Sequence, residues 1–181
     1  MDKSKNKIAN TYSEWQHIIV IYLAAVLTNY IWELLQSPFY FGMQITAQML
    51  GHCFLASLGD GVIVLVIYFI DWLIFRRLEW LNAYLFRRLV ITGVTGFIIG
   101  VTIEWIGVNS LHRWSYNNLM PVIPGLHLGL VPILQMMILP PIIFLAVGNW
   151  WLSKKLHSNY SDYRCTFDQE IKDNKNPVAR L

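Results

Sequence analysis

Four apolar runs, each long enough to cross the hydrocarbon of a bilayer, divide this chain and leave few folds open to it. A crossing of about 30 Å takes roughly 20 residues at about 1.5 Å per residue in an α-helix. Runs of that length extend approximately over residues 17–35, 51–75, 89–108 and 129–152. In hydrocarbon every backbone N–H and C=O must be satisfied within the protein, so only helices and closed barrels can span. Each run is read as a helix. The predicted fold class is therefore all-α, an integral membrane four-helix bundle in one domain, residues 17–152, and 55% of the 181 residues are hydrophobic, which agrees.

The first run follows Lys3, Lys5 and Lys7 in the manner of a signal peptide. It continues through Asn29, Trp32 and Glu33 without a small-residue cleavage pattern, so it reads as a retained helix. Orientation follows from the basic flanks, because cytoplasmic loops carry the excess of Lys and Arg. Lys3, Lys5 and Lys7 lie in the 1–16 segment, Arg76, Arg77, Arg87 and Arg88 border the second link, and Lys154 and Lys155 follow the last run. Residues 37–50 hold neither Lys nor Arg, and 109–128 hold only Arg113. Both termini are expected in the cytoplasm and these two loops outside, as for a multi-pass protein of the bacterial inner membrane. The net charge of +3 is accounted for by these flanks, and nucleic acid is not expected as a partner.

Two stretches outside the runs differ in character. Residues 153–181 are polar and are expected to be a disordered cytoplasmic tail. The link 109–128 carries Trp114, Tyr116, Met120, Pro121, Pro124, Gly125 and His127, too apolar for a solvated linker, and is expected to fold back over the bundle as a lid.

Polar residues inside the runs need a reason, since a charge in lipid is expensive. On the first helix Asn29, Glu33 and Gln36 recur at i, i+4 and i+7, one stripe near the external end. On the second, Asp60 lies nine residues in from Gly51, near the midplane, with His52 two turns above it and Ala56 and Gly59 allowing another helix to approach. Asp71, just before Arg76 and Arg77, reads as a boundary charge. The third helix places Gly93, Gly96, Gly100, Glu104 and Gly107 on one stripe, which predicts close packing and turns Glu104 inward. The fourth contains Pro132, Gln135, Pro140 and Pro141, and its prolines free carbonyls that must find other partners.

Motifs for other chemistries are missing. No H-E-x-x-H, H-x-x-x-H or paired-cysteine spacing suggests a metal, no nucleophile elbow supports a hydrolase built on Ser57, His52 and Asp60, and no glycine-rich phosphate loop is present. Cys53 and Cys165 suggest no disulfide. Neither metal nor cofactor is expected. What remains is acid–base work by carboxyl groups in a low-dielectric site. Glu33, Asp60 and Glu104 are the candidate proton donors and acceptors and His52 a proton shuttle; Asn29, Gln36, Trp114, Tyr116 and Gln135 would line the substrate site.

The strings Asn29-Tyr-Ile-Trp-Glu33-Leu-Leu-Gln36-Ser-Pro38-Phe-Tyr40, His52-Cys-Phe-Leu-Ala-Ser57-Leu-Gly-Asp60, Glu104-Trp-Ile-Gly-Val-Asn109 and Trp114-Ser-Tyr116-Asn-Asn-Leu-Met120-Pro-Val-Ile-Pro124-Gly resemble a group of small, uncharacterised bacterial inner-membrane proteins. That resemblance implies a shared fold and no activity. A looser likeness over 104–140, a helix-end Glu, an aromatic loop and Gly129-x-x-Pro132, is similar to integral-membrane carotenoid hydratases and cyclases. It implies acid-initiated chemistry on a lipid or isoprenoid.

Three functions fit: an enzyme on a hydrophobic small molecule dissolved in the bilayer, a proton-coupled or metal-ion carrier, and a non-catalytic subunit of a membrane complex. A carrier needs polar residues toward both faces, whereas the cytoplasmic halves of the four helices read as apolar. That counts against a carrier for a monomer, while a homo-oligomer could build a path.

Overall fold

The computed structural model describes residues 3–42, 46–75 and 85–175. The basic pair Arg76 and Arg77 lies outside them. Helix α1 (Lys3–Gln36) runs into a single 3-10 turn (Ser37–Phe39); α2 (Ala47–Phe75) and α3 (Leu85–Trp105) follow, and α3 widens into a π-helical turn (Ile106–Ser110). A two-stranded antiparallel ribbon, β1 (Val122–Ile123) with β2 (Leu128–Gly129), leads into α4 (Leu130–Lys175). Gly125, at φ 86°, allows the tight turn between the strands.

Among the described residues, four helices are long and apolar enough to cross a membrane, over Glu14–Phe39, Ala47–Phe75, Leu85–Ser110 and Leu130–Lys154. Each overlaps a predicted run, and the mostly helical fold is compatible with a multi-pass membrane protein. Helix α1 shows why the pattern works. Leu23, Leu27, Ile31 and Leu35, four residues apart, are all exposed, an apolar stripe suited to lipid, while Ile21, Ala25 and Asn29 on the opposite side are buried. Helix α4 continues as far as Lys175, through residues for which no ordered structure was expected. Extending an existing helix adds one hydrogen bond per residue fixed and needs no new nucleus.

The chain divides into two compact units, Met1–Val147 and Gly148–Leu181. The apolar core of the first joins Ile21 and Ala25 of α1, Val64, Ile67 and Tyr68 of α2, and Ile143, Phe144 and Val147 of α4. Tyr68 meets Phe144 edge-on at 5.6 Å between ring centres. In the second unit Lys154 Nζ lies 5.3 Å from the Trp150 ring centre and 5.9 Å from that of Trp151, a cation–π pairing typical of a membrane boundary.

The predicted glycine stripe is where α3 meets α4. A Cβ placed on Gly96 would overlap the carbonyl oxygen of Met136, and one on Gly100 would lie 3.2 Å from Met136 Cβ. Gly93 faces the carbonyl of Met137. Those two carbonyls are the ones that Pro140 and Pro141 deprive of their helical donors. Glycine at 93 and 96 brings backbone C–H groups close to them, a weak but real substitute in hydrocarbon. On α2 the expected small contact is displaced by two residues. Gly59 is open and Ala56 exposed, while Gly61 is buried beneath Tyr22 and Val26 of α1.

Asp71 departs further from its reading as a boundary charge. It is buried, accepts a 2.5 Å hydrogen bond from Thr92 Oγ1, and feels the charge of Arg88, itself buried. The half of the bundle predicted to be apolar therefore holds a second polar cluster. The apolar core lies between it and Asp60, because Val64, Ile67 and Tyr68 occupy the intervening turns of α2.

Candidate functional site

Helix periodicity alone brings Asn29, Glu33 and Gln36 of α1 to the inside, and each meets a different partner. Asn29 is fully buried and donates through Nδ2 to the Ala25 carbonyl at 2.8 Å, which turns its Oδ1 toward α4. There Gln135, also buried, donates through Nε2 to Asn29 Oδ1 at 2.8 Å and to Asp60 Oδ2 at 3.1 Å. An amide nitrogen has two protons, and these two contacts use both; Glu33 Oε1, at 3.5 Å, sits at the limit of the same donor. Gln36 Nε2 donates to Glu33 Oε1 at 2.7 Å. The carboxyl groups of Glu33 and Asp60 converge on the one Gln135 amide. Three helices thus contribute to one buried knot of two carboxyl groups and three amides.

Glu104 belongs to an adjacent group. Its Oε1 accepts the hydroxyl of Tyr116 and, at 3.2 Å, the indole Nε1 of Trp114. Tyr116 is itself fixed by the Gly129 amide, which donates to its hydroxyl at 2.9 Å. Glycine makes both aromatic seats: a Cβ on Gly107 would overlap the Trp114 ring, and one on Gly129 would lie 2.9 Å from the Tyr116 ring. The two interhelical loops meet at the same end of the bundle. Phe41 N donates to Ser115 O and Asn117 N to Phe39 O, both at 3.0 Å, and the Tyr40 and Tyr116 rings lie 5.9 Å apart.

Electrostatics tie the two groups together. Burial pushes the Tyr116 phenol above its ordinary range, helped by its bond to Glu104 and by that carboxylate's charge. Burial does the same to Tyr40, reinforced by Glu104, Glu33, Tyr116 and Asp60. Both phenols stay neutral at physiological pH, and Tyr116 remains a donor to Glu104. Among the described residues no Lys or Arg hydrogen-bonds to either group, and no three His, Cys, Asp or Glu side chains are grouped as a metal ion would require.

Of the nine residues the sequence nominates, eight fall in these two groups. His52 does not: it is exposed, with Nδ1 against the Gln48 carbonyl at 2.8 Å. The inward stripe of α2 runs instead through Cys53, Ser57 and Gly61, one residue round the helix from His52. Tyr40 is not among those nominated, and Asp71 is read there as a boundary charge. Asp71 follows Asp60 by eleven residues, three helical turns with about 20° left over, so spacing alone places it on the same face.

No protein-family model, no curated protein and no solved structure matches this chain.

Proposed function

We propose that the chain is a membrane enzyme whose Glu33–Asp60 pair performs acid–base chemistry on a lipid-like or isoprenoid molecule dissolved in the bilayer. The observation that carries this is the convergence of the two carboxyl groups on one buried amide, with Gln135 Nε2 3.1 Å from Asp60 Oδ2 and 3.5 Å from Glu33 Oε1. Two carboxyl groups gathered at one donor in a dry site do not both ionise cheaply, and a pair that keeps one proton has one to give and one site to receive. One carboxyl group protonates the substrate, the other takes a proton back, and the protein ends as it began. Gln135, anchored through Asn29, holds Asp60 in place; Glu104 positions Trp114 and Tyr116 of the aromatic loop, which acts as the lid.

In this reading the loop end faces the outside of the cell, as the basic flanks favour, and the membrane is the bacterial inner membrane. The proton-coupled carrier is the second reading. Buried Asp71 with Arg88 and Thr92 supplies the polar group that it needs toward the other face, but the apolar core between Asp71 and Asp60 offers no relay.

Infrared difference titration of the protonated-carboxyl band tests the pair. Wild type retains one such band near about pH 7, and Asp60→Asn and Glu33→Gln each remove or shift it. Full ionisation of both groups at about pH 5 overturns the proposal.

A further inference from the structure

One turn of helix α1 buries one hydrogen-bond donor and one acceptor that have no partner among the described residues. The indole Nε1 of Trp32 and the amide Oε1 of Gln36 are both shielded from solvent, and neither has a hydrogen-bond partner among the described residues. Gln36 is 3% exposed, and its Nε2 is held on Glu33, so its idle oxygen lies at the carboxyl pair. Trp32 and Gln36 are one helical turn apart on the inward face of α1, with Glu33 between them in sequence. Leaving either atom unpaired in so dry a place is unfavourable, and the two defects are complementary.

We propose that this position binds the hydroxyl group of a neutral, long-chain lipid alcohol, the substrate class of the acid–base site on whose reading this inference rests. A hydroxyl accepts from Trp32 Nε1 through a lone pair and donates its proton to Gln36 Oε1. Other head groups fit less well. A phosphate or carboxylate would bring negative charge beside Glu33, Asp60 and Glu104, with no Lys or Arg among the described residues bonded there. An ammonium suits the carboxyl groups but has no lone pair for the indole N–H. An alkane meets neither atom. The tail has a natural place in the bilayer, since the exposed stripe of α1 from Ile19 through Leu23, Leu27 and Ile31 to Leu35 is apolar.

The test is equilibrium retention of four labelled probes, hexadecanol, hexadecane, hexadecyl phosphate and hexadecylamine, by the full chain in lipid nanodiscs. Hexadecanol should bind saturably and roughly tenfold more tightly than the other three, as two modest hydrogen bonds would give. Trp32→Phe and Gln36→Leu should each weaken it about fivefold, while His52→Ala, at an exposed position away from both atoms, leaves binding unchanged. In the wild type, hexadecanol should shift one indole N–H resonance that is missing from the Trp32→Phe spectrum, a readout that does not depend on the variants folding equally well. Equal retention of the four probes, preference for the phosphate or the amine, or an unmoved Trp32 resonance overturns the proposal. The carboxyl infrared band is read separately, so loss of the shared proton with alcohol binding intact would fault the acid–base reading alone.

Discussion

Gly96 of α3 lies directly against the carbonyl of Met136 on α4, a carbonyl whose helical donor Pro140 has removed. Two sequence features that look independent, a glycine stripe and a proline pair, are halves of one contact. A membrane helix can carry proline only where something else meets the freed carbonyl, and here the neighbouring backbone does.

Gly96→Ala should therefore destabilise the bundle, by about 1–3 kcal/mol as overpacking does. Gly59→Ala should be neutral or stabilising by up to about 1 kcal/mol, since a Cβ there meets nothing within 4 Å and alanine favours helix. Thermal unfolding of both variants in one detergent compares them. Equal midpoints would show that the Gly96 contact contributes nothing.

Glu104 and Tyr116 should behave as one unit. Their hydrogen bond joins the end of α3 to the aromatic loop, so Glu104→Leu and Tyr116→Phe each remove the same interaction. A double-mutant cycle on stability should return a coupling of about 0.5–3 kcal/mol. Additive effects would mean that the loop is held by its apolar and backbone contacts alone.

The bundle was legible because backbone satisfaction in lipid leaves long apolar runs little choice, and the inward residues of α1 followed from 3.6-residue periodicity. Distances across helices were not legible. Periodicity says that Gln135 faces inward but not that its amide reaches both Asn29 and Asp60, which depends on how α1, α2 and α4 are rotated against one another. His52 failed through a one-residue error in phase on α2. Asp71 failed because nearby arginines offered an easy explanation at the membrane boundary, although its spacing from Asp60 pointed inward. The separation of Glu104 from the Glu33–Asp60 pair is set by the loop, where Gly107 and Gly129 admit the two rings, and no helical period describes a loop.

Alkaline pH should act through the loop end. Unfolded tyrosines ionise near about pH 10, whereas burial and neighbouring carboxylates hold folded Tyr40 and Tyr116 above that. A folded-state value raised above the unfolded one contributes stability that is complete below about pH 10 and is lost as pH rises from there toward the folded-state value. Tyrosinate absorbance should show these two phenols silent at about pH 10 while the fold persists. Tyr116→Phe should leave the number titrating there unchanged and flatten the alkaline decline in stability. A reduced count in Tyr116→Phe would show that Tyr116 is an ordinary exposed phenol.

Sidedness can be checked at exposed Asn118. If the basic flanks set the topology, an export-dependent reporter fused after Asn118 should be active and one fused after Asp173 silent. A cytoplasmic Asn118 would leave the carboxyl groups where they are and reverse the face from which the site is reached.

Gln135 offers the sharpest separation of structure from chemistry. Its amide is buried and bonds to Asn29 and Asp60, so Gln135→Leu strands an acceptor on each and should lose about 2–5 kcal/mol of stability. Gln135→Glu keeps the shape but replaces a donor with a third carboxyl group beside two others. That group can satisfy Asp60 only by holding a proton, so the stability of Gln135→Glu should fall steeply as pH rises through the neutral range, whereas that of Gln135→Leu should be low throughout. Unfolding midpoints of the two variants across about pH 5–9 distinguish them. Parallel profiles would mean that the amide fills space and holds no carboxyl group in position, and the acid–base pair would then lack the anchor on which its geometry depends.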